Sequence, residues 1–167
     1  MSPILPFDII SLIIDIVAEK DDTNLLKELA LVSHCFHQIC SKHLFADIEL
    51  YEANPSLDIG SSKKGFVKLL KSRPDVVNYI RELRYTVNNV NYDVQLPPKH
   101  GSVNNEDHLL SSILPNLLRT IPRLNCLMII SSHDSPFDWN ELDSSLKSAF
   151  LHLIHLPTIN HIDLSYI

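Results

Sequence analysis

The segment from Pro6 to Ala18 constrains this chain more than any other stretch, because as a helix it carries more apolar surface than one neighbour can cover. Pro6 suits a first helical position, where its missing N–H would have had no partner in any case. At about 100° per residue, Asp8, Ser11, Asp15 and Glu19 fall within about 80° of one another. Ile9, Ile10, Leu12, Ile13, Ile14, Ile16 and Val17 sweep about 200° of the remaining circumference, whereas a helix lying on one neighbour needs an apolar stripe of about 100°. This helix has two faces to bury.

A second helix is predicted after Asp21-Asp22-Thr23-Asn24, whose side chains are good helix caps. Leu25, Leu29, Val32 and Phe36 recur at helical spacing, with Leu26 and Ala30 beside them. Ser33 can cap a third short helix bearing Phe36, Ile39, Cys40 and Leu44. Three short helices in about 45 residues make a small core, near the size at which isolated domains become marginal. Full burial of an aliphatic side chain is worth about 1.5–3 kcal/mol, so a spare apolar face left in water forfeits several such terms. A covering polypeptide is the simplest remedy.

Leu5-Pro6-Phe7-Asp8-Ile9-Ile10, then Ile13 and Ile16, then the run from Leu25 to Phe36 containing Val32-Ser33-His34-Cys35-Phe36, together resemble the F-box, in its fungal form. His43-Leu44-Phe45-Ala46-Asp47-Ile48-Glu49-Leu50 fits the closing segment of that family. The resemblance spans residues 4–50, with Phe36 standing where the family usually has Trp, a smaller side chain without the indole donor. It implies a subunit that binds a Skp-family adaptor, and through it a cullin, in an SCF ubiquitin ligase. Such a subunit presents an unknown target protein for ubiquitination and is not itself an enzyme. Carried over by position, Leu5, Pro6, Ile9, Ile13, Val32 and Phe36 are the candidate adaptor contacts. The alternative is a non-catalytic protein-interaction or scaffold domain, unrelated to ubiquitin, in which the N-terminal helices cap the repeat array that follows them.

Beyond a polar linker, helix and strand patterns alternate. Ile121-Pro122-Arg123-Leu124-Asn125-Cys126-Leu127-Met128-Ile129 matches Leu156-Pro157-Thr158-Ile159-Asn160-His161-Ile162-Asp163-Leu164 at an offset of 35. A looser copy, Ile80 to Asn88, fits the leucine-rich-repeat consensus L-x-x-L-x-L-x-x-N. Helix candidates precede these copies at residues 65–73, 106–121 and 142–156, and Pro74, Pro122 and Pro157 mark their ends. The expected unit is helix, turn and short strand, repeated so that the strands stack in parallel. Ile80, Leu83, Tyr85 and their counterparts should point into the core. Arg84, Thr86, Met128, Ile130, Asp163 and Ser165 alternate onto the opposite face of the sheet, the candidate target-binding face. Residues 86–105, rich in Asn, Pro and Gly, are expected to form a long surface loop. Ser132 and Ile167 replace the consensus Asn, and the sequence closes after a strand without a polar capping repeat, which suggests a truncated array. The expected fold is therefore α+β or α/β. It has a three-helix F-box over 2–50, a linker over 51–64, and a short, irregular leucine-rich-repeat-like array with parallel strands over 65–167.

Composition narrows the chemistry. A net charge of −6 speaks against a nucleic-acid footprint, which needs a clustered basic face. Lys63, Lys64, Lys68 and Lys71 read as one solvated helix face. Three cysteines cannot build a disulfide framework, and the N-terminal run is interrupted by Asp8 and Asp15. Export and membrane spanning are therefore not expected, and the compartment is read as cytoplasmic or nuclear. The stretch from Gly60 to Gly65 has phosphate-loop spacing, but Phe66-Val67 stands where Lys and Ser/Thr are needed. Cys35, His37, Cys40 and His43 point around a helix in different directions and do not suit a tetrahedral zinc site. His152 and His155 lack a third ligand, and His133-Asp134-Ser135 is too compact for an in-line proton relay. No cofactor, metal or catalytic residue is assigned. Trp139 is read as a loop aromatic packed on the array, with contact to a partner as the alternative.

Overall fold

The computed structural model describes residues 6–20, 22–51, 62–87, 105–131 and 138–165. The chain divides into two compact units, Met1–Asp47 and Ile48–Ile167.

The first unit holds three helices: α1 (Phe7–Glu19), α2 (Thr23–Ala30) and α3 (His34–Leu44). Pro6 is the residue before the first turn of α1, and its carbonyl accepts from the N–H groups of Ile9 and Ile10 at 3.1 and 3.2 Å. The predicted caps form. The Asp22 carboxylate accepts from the Leu25 N–H at 3.0 Å, and the Ser33 hydroxyl accepts from the Phe36 N–H at 3.4 Å. Each satisfies a donor that the start of a helix otherwise leaves without a partner. Ile10 and Ile14 of α1 meet Leu26 of α2 and Ile39 and Cys40 of α3, with Val17, Leu29, Cys35, Phe36 and Leu44 packed around them.

The second unit is a helix–strand array. In chain order it contains β1 (Asp47–Tyr51), α4 (Ser62–Ser72), a 3-10 turn at Pro74–Asn78, β2 (Glu82–Val87) and α5 (Asn105–Leu118). There follow β3 (Cys126–Ser131), a 3-10 turn at Trp139–Glu141, α6 (Ser144–Ile154) and β4 (His161–Ser165). The strands form one parallel sheet in the order β1-β2-β3-β4. Helices α4 and α5 are neighbours, as are α5 and α6.

The repeat found in the sequence is the register of the sheet. Cys126 pairs with His161 and Ile129 with Leu164, which is the offset of 35. Leu83 pairs with Leu127 and Tyr85 with Ile129. A backbone device recurs with it just ahead of the strands. The Arg81 carbonyl accepts from the N–H groups of Asn125 and Cys126 at 2.7 and 3.1 Å, and the Asn125 carbonyl accepts from those of Asn160 and His161 at 3.0 and 3.1 Å. These forked bonds lock successive strand starts together. Ile80, Leu83, Tyr85, Leu124, Leu127 and Ile129 are all buried, as are Phe66, Leu118 and Phe150 on the helices, and Phe150 meets the Tyr85 ring.

Four features depart from the sequence reading. The strand β1 lies in residues read as the tail of the N-terminal module, and Leu50 on it is fully buried. The helix α4 begins at Ser62, inside the linker, because the Ser62 hydroxyl accepts from the Tyr51 N–H at 2.7 Å and so ties the helix start to β1. Lys63 is buried rather than solvated, while Lys64, Lys68 and Lys71 are exposed. Its ammonium donates to the Tyr85 hydroxyl at 2.6 Å and lies 4.5 Å from the centre of the Tyr85 ring. Finally, Ile162 and Leu164, the counterparts of Leu127 and Ile129, are 40% and 46% exposed, because no described strand lies beyond β4 in the sheet. Of the expected loop, Thr86 and Val87 complete β2 and Asn105 opens α5; the rest lies outside the described residues.

Candidate functional site

Among the described residues, most of the exposed large apolar side chains belong to the first unit. Ile14 is fully buried and Ile10 nearly so, and Val17 and Ala18 lean on the same core. Ile9, Leu12, Ile13 and Ile16 are exposed. At about 100° per residue these four occupy an arc of about 100° on the far side of the buried one. Asp8, Ser11, Asp15 and Glu19 fill the sector between, and Asp15 accepts from or pairs with the His43 imidazole at 2.9 Å. A helix with a buried apolar face, a polar face and a second, bare apolar face is one that a single small core cannot satisfy.

The turn between α2 and α3 adds to this. Leu31 is 86% and Val32 65% exposed, although both are aliphatic and follow a helix whose Leu26 is buried. Among the candidate adaptor contacts, Pro6, Ile9, Ile13 and Val32 are thus all exposed, and Leu5 lies outside the described residues. Phe36 is different. It is half-buried and packs against the three-helix core, so part of its ring holds the unit together. Leu12, Ile16 and Leu31 are not among the candidate adaptor contacts carried over by position, although Leu12 and Ile16 belong to the same apolar arc as Ile9 and Ile13.

On the second unit, Arg84, Met128 and Asp163 form one cross-strand row, and Thr86, Ile130 and Ser165 the next. All six are half-buried, and by register they lie on the side of their strands opposite Leu83, Tyr85, Leu127, Ile129, Ile162 and Leu164, so the structure gathers them on one sheet face. Two partly covered apolar side chains, Met128 and Ile130, stand between a cation on β2 and a carboxylate on β4. The Asp163 carboxylate also accepts from the Ser165 hydroxyl.

The rejected metal ligands sit in different surroundings. Cys40 is fully buried in the helical core, Cys35 is half-buried, and His43 is engaged with Asp15. Burial pushes the Cys40 thiol above its ordinary value of 9.0, against a smaller opposing effect from a backbone hydrogen bond. Among the described residues no three His, Cys, Asp or Glu side chains come together as a metal site. Trp139 packs on Phe150 with ring centres 6.4 Å apart, and Phe150 in turn meets Tyr85 edge-on at 5.0 Å. His133-Asp134-Ser135 lies outside the described residues. No described helix is long and apolar enough to cross a membrane.

No protein-family model, curated protein or solved structure matches the chain.

Proposed function

We propose that the chain is an adaptor-docked recognition subunit. In this reading the bare face of α1, with Val32, binds a Skp-family adaptor of an SCF ubiquitin ligase, and the open sheet face of the second unit presents a target protein. The observation that carries this reading is the exposure of Ile9, Leu12, Ile13 and Ile16 on a helix whose opposite face already fills a core. Aliphatic side chains in such a number on one helix face mark a surface that another protein covers. Each is worth about 1.5–3 kcal/mol on full burial, enough in sum to outweigh much of the entropy lost on association. The Leu5-Pro6 start and the run to Phe36, which resemble the F-box, say which kind of protein that is.

The test is co-expression with a Skp-family adaptor followed by purification on the adaptor's tag. The wild-type chain should co-purify. Ile9→Asp combined with Ile13→Asp should abolish this while leaving the helical circular dichroism intact, since neither side chain is in the core. An adaptor that never retains the wild-type chain, under conditions where both are soluble, would sink the reading and favour a scaffold role unrelated to ubiquitin.

A further inference from the structure

The open face of the sheet extends beyond the six candidate positions. Leu50 on β1 is fully buried, as Leu127 and Ile129 are on β3. Side chains alternate along a strand, so Glu49 and Tyr51 lie on the side of Arg84 and Met128. Glu82, two residues before Arg84, shares that side, and Glu49 and Glu82 are both exposed. With Asp163, three carboxylates of the described residues stand on this face, against the guanidinium of Arg84 and beside the imidazole of His161. The salt bridges between described residues, Asp15 with His43 and Arg73 with Asp75, involve none of these groups. The exposed lysines described in this unit, Lys64, Lys68 and Lys71, lie on α4, which packs on the other face through Lys63 and Tyr85.

Down the middle of the open face run Met128 and Ile130, half-buried on β3. Strands about 4.8 Å apart, with a rise of about 3.3 Å per residue, set the backbones of Glu82 and Asp163 about 12 Å from one another, on opposite sides of Met128. One cation cannot pair with both. We propose that this face binds a cationic segment of a protein partner, in which basic residues stand on either side of an aliphatic residue seated on Met128 and Ile130. The inference deepens the target-presenting role given to this face above, and rests on that role for what becomes of the partner but not for the contact itself.

Other chemistries fit less well. An acidic segment gains Arg84 and faces three carboxylates, and like charges brought together at an interface cost several kcal/mol in general. A wholly apolar segment takes water from Glu82 and Asp163 and returns no partner for the charge. A basic segment with no aliphatic residue leaves the apolar middle of the face bare. Complementary charge also speeds encounter, since carboxylates gathered on one face attract cations from a distance.

Selection of random peptides displayed on phage tests this. The target is the 167-residue chain carrying Ile9→Asp and Ile13→Asp, so that the bare side of α1 does not select apolar peptides of its own. Enriched peptides should carry Lys or Arg flanking Leu, Ile or Val, and replacing that aliphatic residue by Ser should remove binding. Fluorescence polarisation with an enriched peptide should show about tenfold weaker affinity for Glu49→Lys and for Glu82→Lys, tighter binding by Arg84→Gln, and weakening with added salt. Glu49 and Glu82 are exposed, so circular dichroism should report an unchanged fold in both lysine variants. Enrichment of acidic or uncharged peptides would overturn the proposal, as would no enrichment. So would basic peptides that bind both lysine variants as tightly as the parent. No adaptor takes part in this measurement, so failure to retain a Skp-family adaptor and failure to select basic peptides are separate results.

Discussion

Lys63 and Tyr85 illustrate how much of the second unit depends on single side chains. The Lys63 ammonium is buried, bonded to the Tyr85 hydroxyl at 2.6 Å, and the Tyr85 ring stacks edge-on against Phe150. A buried charge that loses a partner is costly, because water no longer solvates it. Tyr85→Phe keeps the ring and removes the acceptor, so it should lower stability by about 1.5–3 kcal/mol in urea unfolding. Adding Lys63→Met should recover part of that loss, since the charge needing the partner is then gone. Cys40 offers a second residue-level expectation. Its thiol is raised above 9.0 in the folded state, so the native chain holds that proton more tightly than the unfolded chain does. The stabilisation is complete below the ordinary thiol value and is lost as pH rises through the higher folded value. Unfolding measured on the alkaline side should therefore show a decline that Cys40→Ala flattens. Lys63 was not legible as a buried residue in the sequence. Helical spacing grouped it with Lys64, Lys68 and Lys71, and only the long-range meeting with Tyr85 sets it apart.

Among the elements, those defined by local chemistry were the most legible. Asp22 and Ser33 were readable as caps because a side-chain oxygen before a helix has one obvious use, and both bond the N–H groups three residues on. Asp143 does the same for α6, accepting from Ser145 and Leu146 at 2.8 and 3.3 Å. Asp143→Ala should cost about 0.5–2 kcal/mol and lower the melting temperature, whereas Asp143→Asn should retain most of the cap. The strands β3 and β4 were readable because their offset of 35 is the pairing register itself. The strand β1 was not. Asp47-Ile48-Glu49-Leu50-Tyr51 alternates polar and apolar like any half-buried strand, but it directly follows the helices and was grouped with them. The partner strand that makes it a strand, β2, lies some thirty residues further along the chain.

At the scale of the molecule, α1 and β4 both leave apolar side chains beyond what the described core covers, and only the first of these was legible. On α1 that excess was visible as an overly wide apolar arc, and the structure leaves its far side bare. On β4 it was hidden. Ile162 and Leu164 repeat a pattern that is buried one strand earlier, and a repeat unit alone does not say which copy will stand at the edge. The candidate face of the sheet was fully legible, since strand alternation fixes which residues share a side. What that face binds was not, because Met128 and Ile130 between Arg84 and Asp163 suit many partners.

The bare side of α1 also bears on how much of this chain a cell can keep. If that side is covered only in the proposed complex, the chain circulates safely no further than its companion is available. Surplus copies would then expose that helix to chaperones and proteases, and disposal would trim the pool. Abundance should track the supply of the companion rather than the rate of synthesis, and the chain made alone in a cell should be cleared faster than the same chain made with its adaptor.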